Sequence, residues 1–201
     1  MKLTLIAAAA LLSTSLAHAA LLTGTPSFGN GPSNMTPVFG TLINFDDVAT
    51  GSPLVANHYA GVGVTSITNT LGPALGYYRS SQSGINYVGT GGGNGWAADI
   101  LIEFTALQAS VGLGIAGSTG LQFDLLDASM NVLEGYSLTS PSNAYYYVNR
   151  PTADTKFLRV VGNHIAIDDL QFATGIPEPE TYALMLAGLG VVGFMARRRK
   201  A

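Results

Sequence analysis

The chain has 201 residues, of which 47% are hydrophobic and only 10% are charged, and its formal net charge is −3 at pH 7. No residue is a cysteine, so the stability of the folded chain cannot come from disulfides. Between residues 20 and 176 ten acidic side chains face only four Lys or Arg, and such an acidic body is expected to bind neither nucleic acid nor an anionic membrane surface.

Residues 1–19 have the three parts of a secretory signal peptide. Lys2 supplies the positive start, residues 3–16 form an apolar stretch, and Ala17 and Ala19 occupy the small positions of a cleavage site after Ala19. The apolar stretch is short for a membrane span, so retention as an anchor is the less favoured alternative. The pattern predicts export by the Sec machinery.

The body of the chain predicts an all-β fold. Residues 20–37 are rich in Gly, Pro, Ser and Asn and predict a flexible leader. From residue 38 to residue 175, strand-like runs alternate with turn signals, and no stretch keeps a helical period. Strands are predicted at 40–45, 62–67, 75–79, 86–88, 98–104, 109–115, 121–126, 132–138, 144–148, 156–161 and 164–172. Many short strands at this spacing indicate one β-sandwich or jelly-roll domain.

Two Asp-Asp pairs stand where the strand alternation breaks. Ile43 and Phe45 give way to Val48 across Asp46 and Asp47, and the apolar parity also changes across Asp168 and Asp169. Such a change of phase predicts a bulge or a strand end. If the first and last strands are neighbours, the four carboxylates converge, and oxygen ligands of this kind suit calcium. The alternative is that they are turn or cap residues that accept bonds from nearby backbone N–H groups.

Aromatic side chains suggest a ligand surface. Trp96, Tyr145 and Tyr147 are the candidates, because sugar rings stack on aromatic faces while their hydroxyls take hydrogen bonds. The alternative is that consecutive tyrosines in one strand send alternate rings to the core and to the surface. A regular threonine array of the kind expected for ice binding is absent from the sequence.

The sequence carries little that indicates catalysis. His58 and His164 have no second metal-ligating residue at a suitable spacing, and no Gly-x-Ser-x-Gly motif is present. Asp99 and Glu103 share one face of a predicted strand, and a close pair of carboxylates is what glycoside hydrolysis requires. The alternative, a solvated polar strand face, is favoured, and we expect a protein that is not an enzyme.

Residues 176–201 combine a proline-rich motif, an apolar segment and a basic end. The motif is Pro177, Glu178 and Pro179, and residues 181–196 are an uncharged stretch that predicts a short transmembrane helix in the inner membrane. The chain then ends in a basic run that holds this end in the cytoplasm: Arg197, Arg198, Arg199 and Lys200. From composition alone, a plain C-terminal anchor is the alternative.

The tail resembles the PEP-CTERM sorting domain, also called the ice-binding protein C-terminal domain. The resemblance lies in residues 177–184, in Gly188-Leu189-Gly190 and in the three terminal arginines. It implies a Gram-negative bacterium that produces exopolysaccharide, and an exosortase that recognises residues 177–179 and removes the anchor. The precursor would sit in the inner membrane, and the mature protein at the cell surface or in the extracellular matrix.

The body resembles the jelly-roll domains that often precede this tail. The resemblance lies in residues 43–47, 59–62 and 167–172, and it implies a lectin-like sandwich. We therefore expect an exported surface or matrix protein that binds exopolysaccharide. The alternatives are a secreted glycan-active enzyme on the same fold and a biofilm scaffold with no small ligand.

Overall fold

Two antiparallel sheets make up the described part of the molecule. The structure is a computed structural model that describes residues 21–24, 40–79, 84–90, 97–117, 120–138, 144–174 and 189. Within these residues the chain forms twelve strands and a single 3₁₀ turn at Ala60–Val62. The predicted all-β class is confirmed, and the jelly-roll resemblance is consistent with it.

The larger sheet has seven strands. They are β1 (Leu21–Gly24), β2 (Thr41–Ile43), β4 (Gly76–Arg79), β5 (Asn86–Gly89), β7 (Ser110–Ala116), β10 (Ala144–Asn149) and β12 (Ala166–Ala173). Six of them follow the order β1-β10-β7-β12-β5-β4, and β2 pairs with β12. The last strand of the body therefore lies in the middle of the sheet, where it contacts β2, β5 and β7.

The smaller sheet has five strands in the order β3-β6-β11-β8-β9. They are β3 (Val64–Asn69), β6 (Ala97–Gln108), β8 (Leu121–Leu126), β9 (Val132–Leu138) and β11 (Thr155–Asn163). Only β8 with β9 forms a sequential hairpin within this sheet, and the other pairings join distant parts of the chain.

The core lies between the two sheets. On β6, the side chains of Ile100, Ile102 and Phe104 have no exposed surface, while Leu101 and Glu103 between them are half-buried. This is the alternation expected of a strand with one face on the core. Phe104 meets Phe172 of the opposite sheet with a ring-centroid distance of 5.1 Å, which ties the layers together.

Both predicted breaks in strand phase are confirmed. In β12, Asp168 pairs with Gly114 and Gln171 pairs with Gly112, so two residues of β12 oppose one residue of β7. Asp169 takes a φ of 47° within this bulge. Phe45, just after β2, takes a φ of 58°, a left-handed conformation that ends the extended chain there.

The predicted strands lie where the structure has strands, and β8 and β9 agree at both ends. The predicted loose leader, residues 20–37, is wrong at one place, because Leu21–Gly24 forms β1 and pairs with β10. The strand was missed because the Gly, Pro and Ser residues after Leu21 and Leu22 dominate the composition of this segment. The β2–β12 pairing confirms that strands from the two ends of the body are neighbours.

The structure describes no helix with the length and apolar character needed to cross a membrane. The helix predicted at 181–196 lies outside the described residues except for Leu189. The predicted signal peptide lies outside them as well.

Candidate functional site

Alternation along β10 separates its three tyrosines. Tyr146 and Val148 belong to the core cluster, so Tyr145 and Tyr147 point to the outward face of the seven-stranded sheet. Their ring centroids are 6.3 Å apart. Alternate rings thus face opposite sides of the sheet, as the alternative expected, but Tyr145 is buried on its side and only Tyr147 is half-buried. The two candidate tyrosines lie together.

Glycines of the neighbouring strand lie directly beside these rings. On β7, Gly114 pairs with Tyr145 and Gly112 pairs with Tyr147. The same two glycines pair on their other side with β12, where Gly114 faces Asp168 and Gly112 faces Gln171. Two rows of outward-facing residues therefore cross three strands, each running from a tyrosine over a glycine to a polar side chain. We call these two rows the tyrosine–glycine face.

The glycines leave space that the tyrosines fill. A Cβ atom at Gly112 would lie 2.7 Å from the hydroxyl oxygen of Tyr145 and 2.9 Å from the Cβ of Tyr147. That separation is too short for any real side chain, so the Tyr145 ring lies across Gly112. The repeated Gly-x-Gly in β7 opposite Tyr-x-Tyr in β10 was a readable sequence signal for this face, and the sequence-based prediction missed it.

Tyr145 is 2% exposed, and its hydroxyl has no hydrogen-bond partner among the described residues. Burial, the neighbouring charge of Asp169 and the Tyr147 hydroxyl all raise the pKa of Tyr145. The group is therefore a neutral donor at every physiological pH. A buried hydroxyl without a partner costs about 1–3 kcal/mol, a cost that a bound acceptor would offset.

A second tyrosine pair lies farther along the same face. Tyr78 of β4 pairs with Tyr87 of β5, and their ring centroids are 5.7 Å apart. Ile167 of β12 pairs with Val88 of the antiparallel strand β5, so the next residues along the two strands, Asp168 and Tyr87, are neighbours. Tyr78, Tyr87 and Tyr147 are half-buried, so aromatic surface reaches solvent on both sides of the buried Asp168.

The Asp46 side chain is a cap. Its Oδ1 accepts hydrogen bonds from the backbone N–H groups of Ile85, at 2.7 Å, and Asn86, at 2.8 Å. These bonds fix the start of β5 to the segment that follows β2. The alternative interpretation, a carboxylate that serves nearby backbone donors, describes this residue.

Asp47 holds a different cluster together. Its Oδ2 lies 2.9 Å from His58 Nε2, and its Oδ1 accepts a 2.7 Å hydrogen bond from the Tyr59 hydroxyl. The Tyr77 hydroxyl donates in turn to Tyr59. Burial alone would raise the pKa of Asp47, but the bonds from His58 and Tyr59 outweigh it and lower that pKa. Asp47 therefore anchors the β2–β3 connection to β4.

The four aspartates do not form the predicted calcium site. Asp168 is fully buried and accepts a bond from the backbone N–H of Asp169, while Asp46 and Asp47 serve the donors described above. Among the residues that the structure describes, no group of three or more acidic or histidine side chains could hold a metal ion. The geometry gives the calcium prediction no support, because Asp46, Asp47 and Asp168 each accept hydrogen bonds from different protein donors.

Asp99 and Glu103 each pair with a cation. Arg159 makes two 2.7 Å hydrogen bonds to the Asp99 carboxylate, and these bonds lower the pKa of Asp99. Lys156 Nζ lies 3.1 Å from Glu103. The two acids therefore belong to an ion-paired outward face of the five-stranded sheet, and Asp99 is buried there at 5% exposure, unlike the solvated strand face of the favoured alternative.

Several predicted residues lie outside the described part of the chain. They are Trp96, the cleavage-site residues Ala17 and Ala19, the motif residues Pro177, Glu178 and Pro179, and the basic residues Arg197, Arg198, Arg199 and Lys200. The structure therefore does not test their predicted roles.

Comparison with known proteins identifies the tail. Residues 175–200 match the family model described as the PEP-CTERM protein-sorting motif. Neither the curated proteins nor the solved structures contain a match to the chain. The resemblance of the tail is therefore confirmed, and the motif points to an exported protein that is processed by an exosortase. It implies membrane anchoring and a final place at the surface of a Gram-negative cell.

Proposed function

We propose that the β-sandwich is the cargo of this sorting tail and that it binds exopolysaccharide through the tyrosine–glycine face. The Sec machinery exports the chain, residues 181–196 hold it in the inner membrane, and the exosortase then acts at Pro177–Pro179. The mature protein stays at the cell surface or in the extracellular matrix. No catalytic step is part of this function.

The observation that carries the proposal is the pair of rows from Tyr145 and Tyr147 across Gly114 and Gly112. The rings of Tyr78, Tyr87 and Tyr147 are half-buried along this face, and their exposed parts offer the apolar surface on which a sugar ring stacks. Because the body is acidic, neutral sugar units suit this face better than anionic ones.

Binding is tested with polysaccharide released by the cells that export the protein. The mature protein is run on native gels that contain this polysaccharide, and its retardation gives a dissociation constant. Tyr147→Ala and Tyr78→Ala each remove a half-buried ring of the outward face. Loss of one stacked ring is worth about 0.5–1.5 kcal/mol, so each variant should bind about two- to tenfold more weakly.

Phe157→Ala is the matched control, because Phe157 is a half-buried aromatic residue on the five-stranded sheet. It should bind as the wild type does. Equal retardation of the wild type and both tyrosine variants would remove the proposed sugar face. Weakening by Phe157→Ala alone would move binding to the other sheet.

Processing is tested separately in the precursor. Glu178→Ala combined with Pro179→Ala should leave a full-length, membrane-retained chain, whereas the wild type loses its tail. Mass spectrometry of the secreted form locates its C-terminus. Unchanged processing of the double variant would contradict recognition at this motif.

We do not propose the glycan-active enzyme. Its candidate acids, Asp99 and Glu103, each have a cationic partner on β11. A hydrolase needs one carboxylic acid that keeps its proton near neutral pH, and Arg159 instead favours the charged form of Asp99.

A further inference from the structure

A groove lies at the end of the sandwich where the body joins the sorting segment. Its volume is about 410 Å³. The residues that line it include Gly40, Val62, Gly63, Ala106, Phe172 and Thr174. The groove therefore joins the first described residue before β2 to the last one after β12.

Close packing gives this groove its shape. A Cβ atom at Gly63 would lie 2.8 Å from the Phe172 ring, and a Cβ atom at Gly40 would lie 2.3 Å from the Phe172 carbonyl oxygen. Both glycines also have positive φ values, 106° and 53°. The Phe172 ring and the backbone at these two glycines are consequently packed too closely for any larger residue to stand at either glycine.

The groove surface is uncharged and partly apolar. None of the described residues that line it is Asp, Glu, Lys or Arg. Val62 is 51% exposed on its rim, and Leu107, next to the lining residue Ala106, is 43% exposed. In a body with ten acidic side chains, this end is suited to apolar contact with another surface.

The sorting motif is tied to this groove by a very short length of chain. Pro177 is three positions after Thr174, and Pro179 is five positions after it. A fully extended chain covers at most about 3.3–3.6 Å per residue, so Pro177 lies within roughly 11 Å of Thr174 and Pro179 within roughly 18 Å. A folded enzyme domain is about 30 Å across. An enzyme of that size that grips the motif is therefore within reach of this end of the sandwich.

We propose that the groove is a docking surface for the exosortase, which binds it while it holds Pro177–Pro179. This proposal rests on the proposed processing of the tail and adds a second recognition site on the body. The contact is apolar, made by Val62 and Ala106 on the rim, and it orients the motif in the active site of the membrane enzyme.

The test uses the full precursor in cells that process it, with pulse-chase labelling to follow the loss of the tail. Val62→Asp and Ala106→Asp each place a charge in the groove at an exposed position. Removing an important interface contact costs more than 1 kcal/mol, so each should slow processing about five- to tenfold. Processing at the wild-type rate by both variants would overturn the docking site.

Leu71→Asp is the matched control. Leu71 is 58% exposed. It follows Thr70, whose backbone N–H donates a hydrogen bond to the carbonyl oxygen of Asp99, near the start of β6. Ala106 lies near the other end of that strand. Seven residues of extended chain separate the two regions by roughly 23 Å. This variant carries the same charge change and should be processed normally. Equal slowing by Leu71→Asp would overturn the proposal, because the effect would then be general.

A spacer separates docking from folding. A twelve-residue Gly-Ser insertion after Thr174 lets the motif enter the enzyme without the body against it. In this background Val62→Asp should no longer slow processing. If it still does, the substitution acts on the folding or export of the body, and docking is overturned.

Two further measurements distinguish a failure of the docking proposal from a failure of the proposed function and from lipid binding. If Glu178→Ala with Pro179→Ala is processed normally, the proposed function itself fails. The released protein is also mixed with phosphatidylethanolamine–phosphatidylglycerol vesicles and floated in a density gradient. It should stay unbound, and flotation that Val62→Asp abolishes would assign the groove to lipid and overturn the enzyme contact.

Discussion

On the outward face of the larger sheet, Tyr145 fills the space that a side chain at Gly112 would occupy. The hydroxyl of Tyr145 is buried there without a partner among the described residues, and the glycine gives it room. Such an arrangement costs stability in the free protein.

Gly112→Ala should lower the free energy of unfolding by about 1–3 kcal/mol, the usual cost of overpacking. The added Cβ would meet the Tyr145 hydroxyl at 2.7 Å. Tyr145→Phe removes that oxygen, so the double variant should recover part of the loss. Urea unfolding measures both variants, and Gly61→Ala, whose Cβ would have nothing within 4 Å, should lose no stability. A fully stable Gly112→Ala variant would show that the face is not closely packed.

Arg159→Met should destabilise the body in a pH-dependent way. Arg159 lowers the pKa of the Asp99 carboxyl in the folded state, so the pair stabilises the protein above the unfolded value, about 3.9, and loses that effect as pH falls. The Arg159 side chain is 38% exposed, and solvent screening reduces the expected loss at pH 7 to about 1–2 kcal/mol. Urea unfolding at pH 7 and pH 3 should show the difference from the wild type shrinking at the lower pH. Arg79→Met removes an exposed arginine and serves as the control.

At the scale of strands, Arg150 joins the edge of the smaller sheet to the β10–β11 connection. It bonds Glu134 of β9, and it makes hydrogen bonds of 2.7 and 2.8 Å to Asp154. The side chains of Arg150 and Glu134 are only 12% and 10% exposed. This ion pair holds β9, which is otherwise paired only with β8 in the described sheet.

Arg150→Met should lower the free energy of unfolding by about 3–5 kcal/mol, because it leaves Glu134 charged and largely buried. Replacing both Arg150 and Glu134 with Met should cost less than the single change. Chemical denaturation of the two variants gives the comparison. A double variant that is less stable than Arg150→Met would contradict this account.

The positions of strands were readable from sequence where alternation and turn residues coincide. In β8, Leu121, Phe123 and Leu125 stand at every second position, and turn residues flank both β8 and β9, so the predicted bounds of both strands were correct. The short β1 gave no such signal, since four residues cannot establish a period. The partners of each strand were not readable either, because β11 pairs with β6 some sixty positions away.

The candidate site was only half predictable for the same reason. Tyr145 and Tyr147 were found from composition, and their common face follows from strand geometry. The neighbours that complete the face, Gly112, Gly114 and Gln171, come from pairings that only the folded sheet fixes. Asp46 and Asp47 were placed correctly at a strand end, but their carboxylates serve different donors.

At the scale of the whole molecule, β12 completes the larger sheet. It contributes Ile167, Leu170 and Phe172 to the core and contacts three other strands. A chain that ends after Asn163 should therefore lack cooperative unfolding in urea. A chain that ends after Thr174 keeps all twelve strands that the structure describes and should unfold cooperatively. A cooperative transition in the shorter chain would show that β12 is dispensable.

The central place of β12 has a consequence for the timing of export. Export proceeds from the N-terminus, so the strand that the sheet needs most is the last to leave the translocation channel, only eight residues ahead of the apolar segment at residue 181. A stalled or shortened chain lacks its middle strand and stays open to proteases. Under the proposed function, only a chain that contains both β12 and the motif at residues 177–179 can complete the larger sheet and also be processed.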